Sequence, residues 1–284
     1  MKPEDYIGLM KPNWCPGCGN FSILAAAKMA FSELNLDNSE IAAISGIGCA
    51  SKFPSWIKVN SFDTLHGRPF PVAAGAKIAN TNLKVFVFCG DGDCYGEGMN
   101  HFISTCRRNH DFVAIVHNNE RYALTTGQTS PTTDIGTKTK TSLYGVTDPP
   151  VNPVALALSA NASFVARGFA GDINHLKWLV TEAFKHRGFS LIDVLQPCVT
   201  FNTVNTLEWY KQRIYKLEES GHNSSDRMAA IGKSFEWSDK IPIGIFYRDN
   251  RASYESYLDQ IKDVPLVKQD ISKIKIDKLM EEFM

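Results

Sequence analysis

The sequence carries no surplus of either charge. Lysine and arginine total 30, and aspartate and glutamate also total 30, in a chain of 284 residues. Proteins that bind nucleic acid or an anionic membrane surface usually display a basic excess, which this composition does not offer. We therefore expect neither nucleic acid nor a membrane among the partners of this chain.

Long apolar runs are also missing. No stretch approaches the ~20 apolar residues that a membrane-spanning helix requires. The first residues, Met1-Lys-Pro-Glu-Asp-Tyr6, lack the apolar core of a secretory signal peptide. Both features predict a cytoplasmic location.

The cysteine count argues against a disulfide framework. The chain has seven cysteines, which is an odd number, whereas secreted scaffolds pair theirs. Metal or cluster ligation is therefore the better use for some of them. The chain is also long enough to bury a sizeable core without covalent crosslinks.

Apolar strands alternate with helical segments along the first two thirds of the chain. Alternation of this kind predicts a mostly parallel sheet that is covered by helices on both faces. Asn20 and Asn152 are expected to cap the helices that follow them. The predicted strands cover residues 40–45, 85–88, 112–116, 163–166 and 190–195, and the predicted helices cover residues 21–30, 72–79, 98–107, 154–160 and 173–186.

The pattern changes beyond residue 200. A charged amphipathic helix is predicted over residues 206–219, followed by a loop over residues 221–226 and a strand over residues 241–247. A polar tail completes the chain. We interpret residues 1–200 as one α/β domain and residues 201–284 as a C-terminal extension that packs on this domain or on a partner subunit.

Two polar turns follow two of the buried strands. The run Lys84-Val-Phe-Val-Phe-Cys-Gly-Asp-Gly-Asp93 is an apolar strand that ends in a glycine turn with two carboxylates. A second strand ends in Asn118-Asn119, with 25 residues between Gly92 and Asn118. Parallel neighbouring strands would bring Asp91 and Asn119 to the same edge of the sheet, where α/β proteins bind ligands.

This pair of turns suits a magnesium ion and a diphosphate. Magnesium prefers about six oxygen ligands and commonly bridges protein carboxylates to phosphates. Asp91 offers a carboxylate, Asn119 an amide oxygen, and the backbone near Arg121 a carbonyl. Gly90 and Gly92 allow a diphosphate to approach the backbone closely. The alternative is a plain strand–turn–helix corner whose aspartates cap the helix, and the spacing to Asn119 favours the metal site.

Four of the cysteines are placed as ligands. Cys15-Pro-Gly-Cys18 forms a tight turn, and Cys49 and Cys198 each follow a predicted strand. Four thiolates can hold either a 4Fe–4S cluster or a structural zinc ion, and the residues by themselves leave both open. The remaining cysteines are expected to be packing residues: Cys89, Cys94 and Cys106.

The residues of the two polar turns resemble the motif of a known protein family. Gly90-Asp-Gly92 with Asn118-Asn119 resembles the thiamine-diphosphate-binding motif. The surrounding segments, residues 90–103 and Gly127-Gln-Thr-Ser-Pro-Thr-Thr133, are similar to the β subunit of 2-oxoacid:ferredoxin oxidoreductases, and the similarity extends over roughly residues 10–250. It implies a three-layer thiamine-diphosphate-binding α/β fold with a mostly parallel central sheet and a C-terminal extension.

The resemblance also implies an activity and its cofactors. The expected reaction is the oxidative decarboxylation of a 2-oxoacid with coenzyme A to acyl-CoA, carbon dioxide and reduced ferredoxin. The expected cofactors are thiamine diphosphate, Mg²⁺ and a 4Fe–4S cluster. Two other interpretations are a non-redox thiamine-diphosphate decarboxylase subunit and a zinc-stabilised scaffold subunit without catalytic activity.

Site residues follow from the resemblance, position by position. Lys52, His66 and Asn119 are implied to be catalytic, with Lys52 near the substrate carboxylate or coenzyme A. For Lys52 a solvated loop lysine is the alternative, and His66 taken alone would be an ordinary loop histidine. The implied magnesium ligands are Asp91, Asn119 and the backbone carbonyl of Arg121; the cluster ligands are Cys15, Cys18, Cys49 and Cys198; and the cofactor contacts are Ile47, Gly48, Cys49, Ala50, His66, Gly92, Asp93, Ala123 and Leu124.

The resemblance further implies an α partner, in a heterodimer or an α2β2 heterotetramer, together with ferredoxin, coenzyme A and a small 2-oxoacid. The glutamate that activates the thiamine ring is implied to lie on the α subunit. We therefore expect this chain alone to bind the cofactor but to turn over poorly.

The segment Leu124-Thr-Thr-Gly-Gln128 bears on substrate choice. Many relatives have Leu-Thr-Lys-Gly-Gln here, so Thr126 removes a cation. This difference weakens the case for 2-oxoglutarate and leaves pyruvate open. Arg68 and Arg121 are the candidates to compensate for the lost charge.

Overall fold

A single large sheet organises the chain. The computed structural model describes residues 1–273 and 276–284. The strands of this described part are β1 Ile41–Ser45, β2 Asn60–Asp63, β3 Lys84–Gly90, β4 Val113–Asn118, β5 Arg121–Tyr122, β6 Gln128–Thr129, β7 Phe164–Phe169, β8 Ser190–Leu195, β9 Ile214–Lys216 and β10 Ile241–Arg248. Eight of them form the sheet in the order β2-β1-β3-β4-β8-β7-β10-β9, and β5 and β6 form a separate small hairpin.

The sheet is mostly parallel, as predicted. Strands β1 to β4 and β7 to β8 pair in parallel, whereas β10 runs antiparallel to its neighbour β7. Gly90 at the end of β3 pairs with His117 near the end of β4, and Asn118 pairs with Leu195 of β8. The carboxyl ends of these central strands therefore meet at one edge.

Helices cover both faces of the sheet. Phe86 and Phe88 of β3 contribute to one buried cluster, whereas Val85 and Val87 contribute to the other, because alternate side chains of a strand point to opposite faces. This explains the unbroken apolar run of β3. The helices are α1 Asn20–Glu33, α2 Pro69–Ala79, α3 Met99–Arg108, α4 Pro153–Ser159, α5 Ile173–Lys185, α6 Leu207–Lys211, α7 Arg227–Ser234 and α8 Asp277–Glu281. None of the helices in the described residues is long and apolar enough to cross a membrane.

Of the two predicted helix caps, one is confirmed and the other is wrong. Asn152 caps α4 as predicted, since its side chain accepts a hydrogen bond from the Ala155 amide at 3.1 Å. The prediction for Asn20 is wrong, because α1 begins at Asn20 itself and the residue before it, Gly19, occupies the cap position. The Asn20 Oδ1 lies instead 2.7 Å from Nδ1 of the buried His117.

The predicted helix over residues 206–219 is wrong in most of its length. The helix α6 ends at Lys211, and the chain then forms β9, which pairs in parallel with β10. The open edge of β10 offers backbone partners that outweigh the local helical pattern. Helix α7 follows in a stretch for which no element was predicted, while the strand predicted over residues 241–247 is confirmed as β10.

The C-terminal region belongs to the same sheet. β10 lies between β7 and β9, so residues beyond 200 pack on the domain as strands. The boundary between residues 200 and 201 stays a prediction. At the opposite edge, the short strand β2 pairs with β1 in a stretch for which no strand was predicted.

Candidate active site

The turns that follow β1, β3 and β4 enclose a small cavity of about 70 Å³, which we call the glycine-turn cavity. The chain leaves β3 through Asp91 into a π-helical turn, Gly92–Glu97, before α3 begins. Wide turns of this kind occur frequently at functional sites. The structure brings together around this cavity all the residues implied for magnesium and cofactor binding: Ile47, Gly48, Cys49, Ala50, His66, Asp91, Gly92, Asp93, Asn119, Arg121, Ala123 and Leu124.

Asp91 is held firmly at the wall of this cavity. Its side chain is only 1% exposed. Its Oδ2 accepts hydrogen bonds from Ser130 Oγ at 2.5 Å and from Thr132 Oγ1 at 2.6 Å. Burial raises the pKa of Asp91, and the two hydroxyl donors oppose that rise. A bound cation would offset the burial of the charged carboxylate.

The adjacent residues Asn118 and Asn119 make different contacts. Asn119 lines the glycine-turn cavity, and its Oδ1 accepts a hydrogen bond from the Arg121 amide at 3.0 Å. Asn118 faces away, since it donates to Asp193 at 3.2 Å and lies 2.9 Å from the Thr132 hydroxyl. Asn119 is therefore the one of the two that is in place to contact a ligand in the cavity.

Two glycines allow these turns to approach each other. A Cβ atom at Gly92 would overlap the ring of Tyr122, and one at Gly46 would overlap the carboxylate of Asp93. These contacts involve a packed ring and a buried charged group, neither of which can move aside cheaply. The glycine at position 92 is thus needed for packing of the turns as well as for room beside the cavity.

Asp93 ties three loops together at the cavity. Its Oδ1 accepts from the Gly67 amide at 2.7 Å and from the Ile47 amide at 3.2 Å. His66 Nδ1 lies 2.8 Å from the same oxygen. Burial raises the pKa of Asp93, while the two amides and His66 lower it. Its buried Oδ2 has no hydrogen-bond partner among the described residues, so it can accept from a bound ligand.

A second cavity of about 170 Å³, the thiol cavity, lies beside the first. It is lined by all four cysteines that were implied as cluster ligands: Cys15, Cys18, Cys49 and Cys198. They come from the turn before α1, the turn after β1 and the segment after β8. Within residues 1–273 and 276–284, no three His, Cys, Asp or Glu side chains are grouped as a ready-made site for a single metal ion.

Few side chains donate hydrogen bonds to the sulfur atoms of this cavity. Thr200 Oγ1 donates to Cys15 Sγ at 3.2 Å, and Gln196 Nε2 donates to Cys18 Sγ at 3.4 Å. Burial raises the pKa of Cys18 to about 11. Burial also raises the pKa of Cys49, and nearby Lys52 opposes that rise.

The two cavities share a wall. Cys49, Asn119, Ala123 and Leu124 line both of them. Lys52 lines the thiol cavity, where its Nζ lies 3.4 Å from Asn13 Oδ1. The structure therefore places two of the three implied catalytic residues, His66 and Asn119, at the glycine-turn cavity and the third at its neighbour.

The remaining cysteines and the compensating arginines are also placed. Cys89, Cys94 and Cys106 are fully buried in the core, as expected for packing residues.

The Arg121 side chain donates to the backbone carbonyls of Glu120 at 2.5 Å and Phe201 at 3.3 Å. Since these contacts occupy it, Arg121 is poorly placed to replace the charge lost at Thr126. Arg68 is exposed and contacts His101.

Sequence alone did not reveal several residues that shape the site. Ser130 and Thr132 hold Asp91, and the hydroxyl-rich run Ser130-Pro-Thr-Thr133 in a long loop is the signal that could have identified them. Tyr210 donates to Glu120 Oε1 at 2.9 Å beside Asn119. No local pattern signals this contact, because it joins residues from separate parts of the chain.

Comparison with known proteins adds an independent line of evidence. A family described as "Thiamine pyrophosphate enzyme, C-terminal TPP binding domain" matches residues 46–194. A second family, which covers the C-terminal part of the pyruvate ferredoxin oxidoreductase beta chain, matches residues 198–263. The first match contains the turns of the glycine-turn cavity, and the second contains Cys198.

Individual relatives are similar over most of their length. The chain is 47% identical to the 2-oxoacid:ferredoxin oxidoreductase subunit beta of Saccharolobus solfataricus, over 87% of this chain and 88% of the relative. It is 46% identical to the 2-oxoacid:ferredoxin oxidoreductase 1 subunit beta of Aeropyrum pernix, over 87% of this chain and 81% of that one.

A solved structure is similar throughout. The 2-oxoglutarate:ferredoxin oxidoreductase from Magnetococcus marinus, with 2-oxoglutarate, coenzyme A and succinyl-CoA bound, matches with a TM-score of 0.93 at 33% identity. The match covers 100% of this chain and 96% of that one.

Proposed function

The chain belongs to the β subunits of the 2-oxoacid:ferredoxin oxidoreductases, and from this premise we propose which residues hold its cofactors and which compounds it handles. It is a subunit of an enzyme, it carries a thiamine-diphosphate-binding domain, and its place in the family implies an α partner. The proposed reaction converts pyruvate or 2-oxoglutarate with coenzyme A to acyl-CoA and carbon dioxide, while ferredoxin is reduced. The wall shared by the two cavities is the observation that carries this proposal.

Asp91, Asn119 and the backbone carbonyl of Arg121 are the proposed magnesium ligands. All three are oxygen donors, as this ion prefers, and all three residues line the glycine-turn cavity. The Ser130 and Thr132 hydroxyls orient the Asp91 carboxylate, and the Arg121 amide orients the Asn119 side chain. The oxygens are thus fixed before an ion arrives.

The glycine-turn cavity is the proposed site for part of thiamine diphosphate. When bound, this cofactor supplies a carbon nucleophile and a sink for the electrons released by decarboxylation. Gly92 and Asp93 would line the diphosphate. The other proposed contacts are Ile47, Gly48, Cys49, Ala50, His66, Ala123 and Leu124.

The size of this cavity supports the need for an α partner. Its volume of about 70 Å³ is far below the ~300–1,000 Å³ typical of ligand pockets. Ile47 and Leu124 at its wall are each 44% exposed. A partner that covers these apolar side chains would enlarge the pocket and exclude water. It would also supply the glutamate that activates the thiamine ring.

The thiol cavity is the proposed site of a 4Fe–4S cluster. Four thiols from three separate segments surround it, which is the number of ligands that such a cluster needs. Thiols bind metal as thiolates, so binding would release protons that burial otherwise holds on Cys18 and Cys49. Because Cys49 also lines the glycine-turn cavity, electrons from the cofactor would have only a short distance to travel.

Lys52 is the proposed contact for the carboxylate of the substrate or for coenzyme A. It faces the thiol cavity near the shared wall, and the neutral Asn13 side chain lies within hydrogen-bonding distance of its ammonium group. The similarity to the Magnetococcus marinus enzyme, which was solved with 2-oxoglutarate, coenzyme A and succinyl-CoA bound, supports a coenzyme A-dependent reaction.

Iron and sulfide analysis with an anaerobic visible spectrum tests the cluster, and kinetics test the reaction. The purified β chain should contain about four irons. The complex with its α partner should reduce ferredoxin with pyruvate or 2-oxoglutarate and coenzyme A, while the β chain alone should not. Zinc without iron would overturn the cluster assignment. Decarboxylation without ferredoxin reduction would favour a non-redox decarboxylase.

A further inference from the structure

The segment that follows β8 lines the thiol cavity and forms hydrogen bonds to the Asn119–Arg121 turn at the glycine-turn cavity. It begins at Cys198 on the wall of the thiol cavity and ends at Tyr210 in α6, and we call residues 198–210 the clamp. Its first turn is fixed internally, because the Asn202 amide donates to the Cys198 carbonyl at 3.0 Å. The Asn202 side chain then accepts from the Asn205 amide at 3.1 Å. Movement of Cys198 would therefore be transmitted to the residues that follow it.

The clamp also grips the turn that carries the proposed magnesium ligands. Arg121 Nε donates to the Phe201 carbonyl at 3.3 Å, and Asn202 Nδ2 lies 3.5 Å from the Asn119 carbonyl. The Tyr210 hydroxyl donates to Glu120 Oε1 at 2.9 Å. Three consecutive residues of the turn are thus each held by a different residue of the clamp.

The turn that the clamp holds has an uncommon backbone conformation at Glu120. Glu120 has a φ angle of 58°, which is uncommon for a residue with a side chain. Glu120 and Tyr210 are only 3% and 2% exposed, so water does not compete for the hydrogen bond between them. The left-handed conformation at Glu120 determines how the backbone passes from Asn119 to Arg121, the two neighbouring residues that are proposed to bind magnesium.

We propose that the clamp couples the two sites, so that a cluster bound through Cys198 tightens the binding of thiamine diphosphate and magnesium at the Asn119–Arg121 turn. A cluster would join Cys198 to three cysteines from other segments, which restricts the clamp before the cofactor binds. A cofactor that enters an already ordered turn loses less conformational freedom. Tyr210 and Asn202 are positioning residues in this scheme, which rests on the function proposed above.

Coupling of this kind is reciprocal. If the cluster raises cofactor affinity by some factor, the cofactor must stabilise the bound cluster by the same factor. We therefore test the link with two measurements, a cofactor affinity and the rate at which the bound cluster loses iron, which stabilisation of the cluster should slow. Neither of them depends on catalytic turnover.

The first measurement is cofactor affinity in the complex of this chain with its α partner, in the presence of saturating Mg²⁺. Removal of the cluster should raise the Kd for thiamine diphosphate at least about fivefold, the lower end of common coupling factors. Tyr210→Phe keeps the ring but removes the hydroxyl. It should weaken cofactor binding in the loaded complex and bring the ratio of the two Kd values close to one.

The second measurement is the rate of iron loss to a chelator. Thiamine diphosphate with Mg²⁺ should slow this loss in the wild-type complex but not in the Tyr210→Phe complex. Tyr215→Phe is the matched control, because the Tyr215 hydroxyl contacts Glu236 and Lys233, away from the turn. It should leave both the Kd ratio and the protection of iron unchanged.

The outcomes separate the coupling from the assignment on which it rests. Equal Kd values in the iron-loaded and stripped wild-type complexes would overturn the coupling while leaving the cluster assignment intact. An unchanged Kd ratio in Tyr210→Phe would overturn the role of the clamp. A wild-type complex that contains no iron would overturn the cluster assignment, and the coupling with it.

Discussion

The glycine-turn cavity and the thiol cavity share a wall, but their proposed ligands are held in place in different ways. Asp91 in the first is buried and already accepts hydrogen bonds from Ser130 and Thr132. The thiols of the second range from the exposed Cys15 to the buried Cys198. Weak sulfur contacts from Thr200 and Gln196 restrain two of them. The oxygen site is therefore organised by its protein neighbours, whereas the sulfur site would be organised by the group that it binds.

This difference follows from the chemistry of the ligands. A carboxylate can be buried while charged only if donors or a cation compensate it, so the donors around Asp91 belong to the fold. A thiol can be buried in its neutral form, and burial raises the pKa of Cys18 accordingly. The thiol site can thus remain loosely held until metal displaces the protons.

The most severe test of the comparison removes the carboxylate. Asp91→Ala should abolish magnesium-dependent binding of thiamine diphosphate, because the only carboxylate proposed to bind the ion is lost. Calorimetric titration should show at least a ~100-fold weaker Kd, on the order of 3 kcal/mol, while iron content stays at the wild-type level.

The exposed Asp263 provides the control for this experiment. Asp263→Ala should leave both the Kd and the iron content unchanged. Retention of cofactor affinity in Asp91→Ala would show that the glycine turn has been assigned wrongly.

The next test removes one thiol. Cys198→Ser should lose most of the bound iron, since a hydroxyl is a poor substitute for a thiolate in a cluster. Metal analysis and the visible spectrum report this loss. Cofactor binding should persist at reduced affinity, because the oxygen ligands remain in place.

Cys94→Ala serves as the matched change, since Cys94 is buried in the core near the glycine turn. It should keep its iron and its cofactor affinity. Equal loss of iron in both variants would contradict the division of the cysteines into ligands and packing residues.

A smaller effect is expected at the hydroxyls that orient Asp91. Thr132→Val keeps the shape of the side chain and removes its hydrogen bond to the carboxylate. Bonds to charged groups contribute about 1.5–3 kcal/mol, so the Kd for cofactor with magnesium should rise about tenfold or more. Thr129→Val, at a hydroxyl that approaches Ser142 at 3.5 Å, should have little effect. Identical behaviour of the two variants would argue against preorganisation of the oxygen site.

The mildest test compares the thiols with one another. In the metal-free folded chain, Cys15 should react first with iodoacetamide, because it is exposed. The buried Cys89, Cys94 and Cys106 should remain unmodified under the same conditions. Peptide mass spectrometry gives the order, and bound iron should protect Cys15. Early modification of Cys94 would show that the core opens near the glycine turn.

The centre of the fold could be predicted well from local patterns, for a physical reason. Strands that are buried on both faces, such as β3 and β8, appear as continuous apolar runs, and the turns that follow them contain the ligands within a few residues. Asp91 and Asn119 could therefore be located from local patterns and spacing.

Long-range contacts limited the rest. The segment predicted as a helix over residues 206–219 contains β9, because its partner β10 lies beyond it in the chain. The Asn20 side chain contacts His117, which only the folded structure brings near it. Tyr210 reaches Glu120 in the same way. Such residues carry no local signal, since their role depends on a neighbour that is distant in sequence.

The antiparallel pairing of β10 with β7 has a consequence for the biogenesis of the protein. Until β10 leaves the ribosome, β7 is an open edge strand that is buried along its whole length in the folded chain, and such edges are prone to pairing with other chains. Roughly 50 residues separate the end of β8 from the end of β10, so this edge stays uncovered for about 3–10 s at common rates of synthesis. Premature termination just after residue 200 would leave a chain that has all of its proposed cofactor ligands and a strong tendency to aggregate.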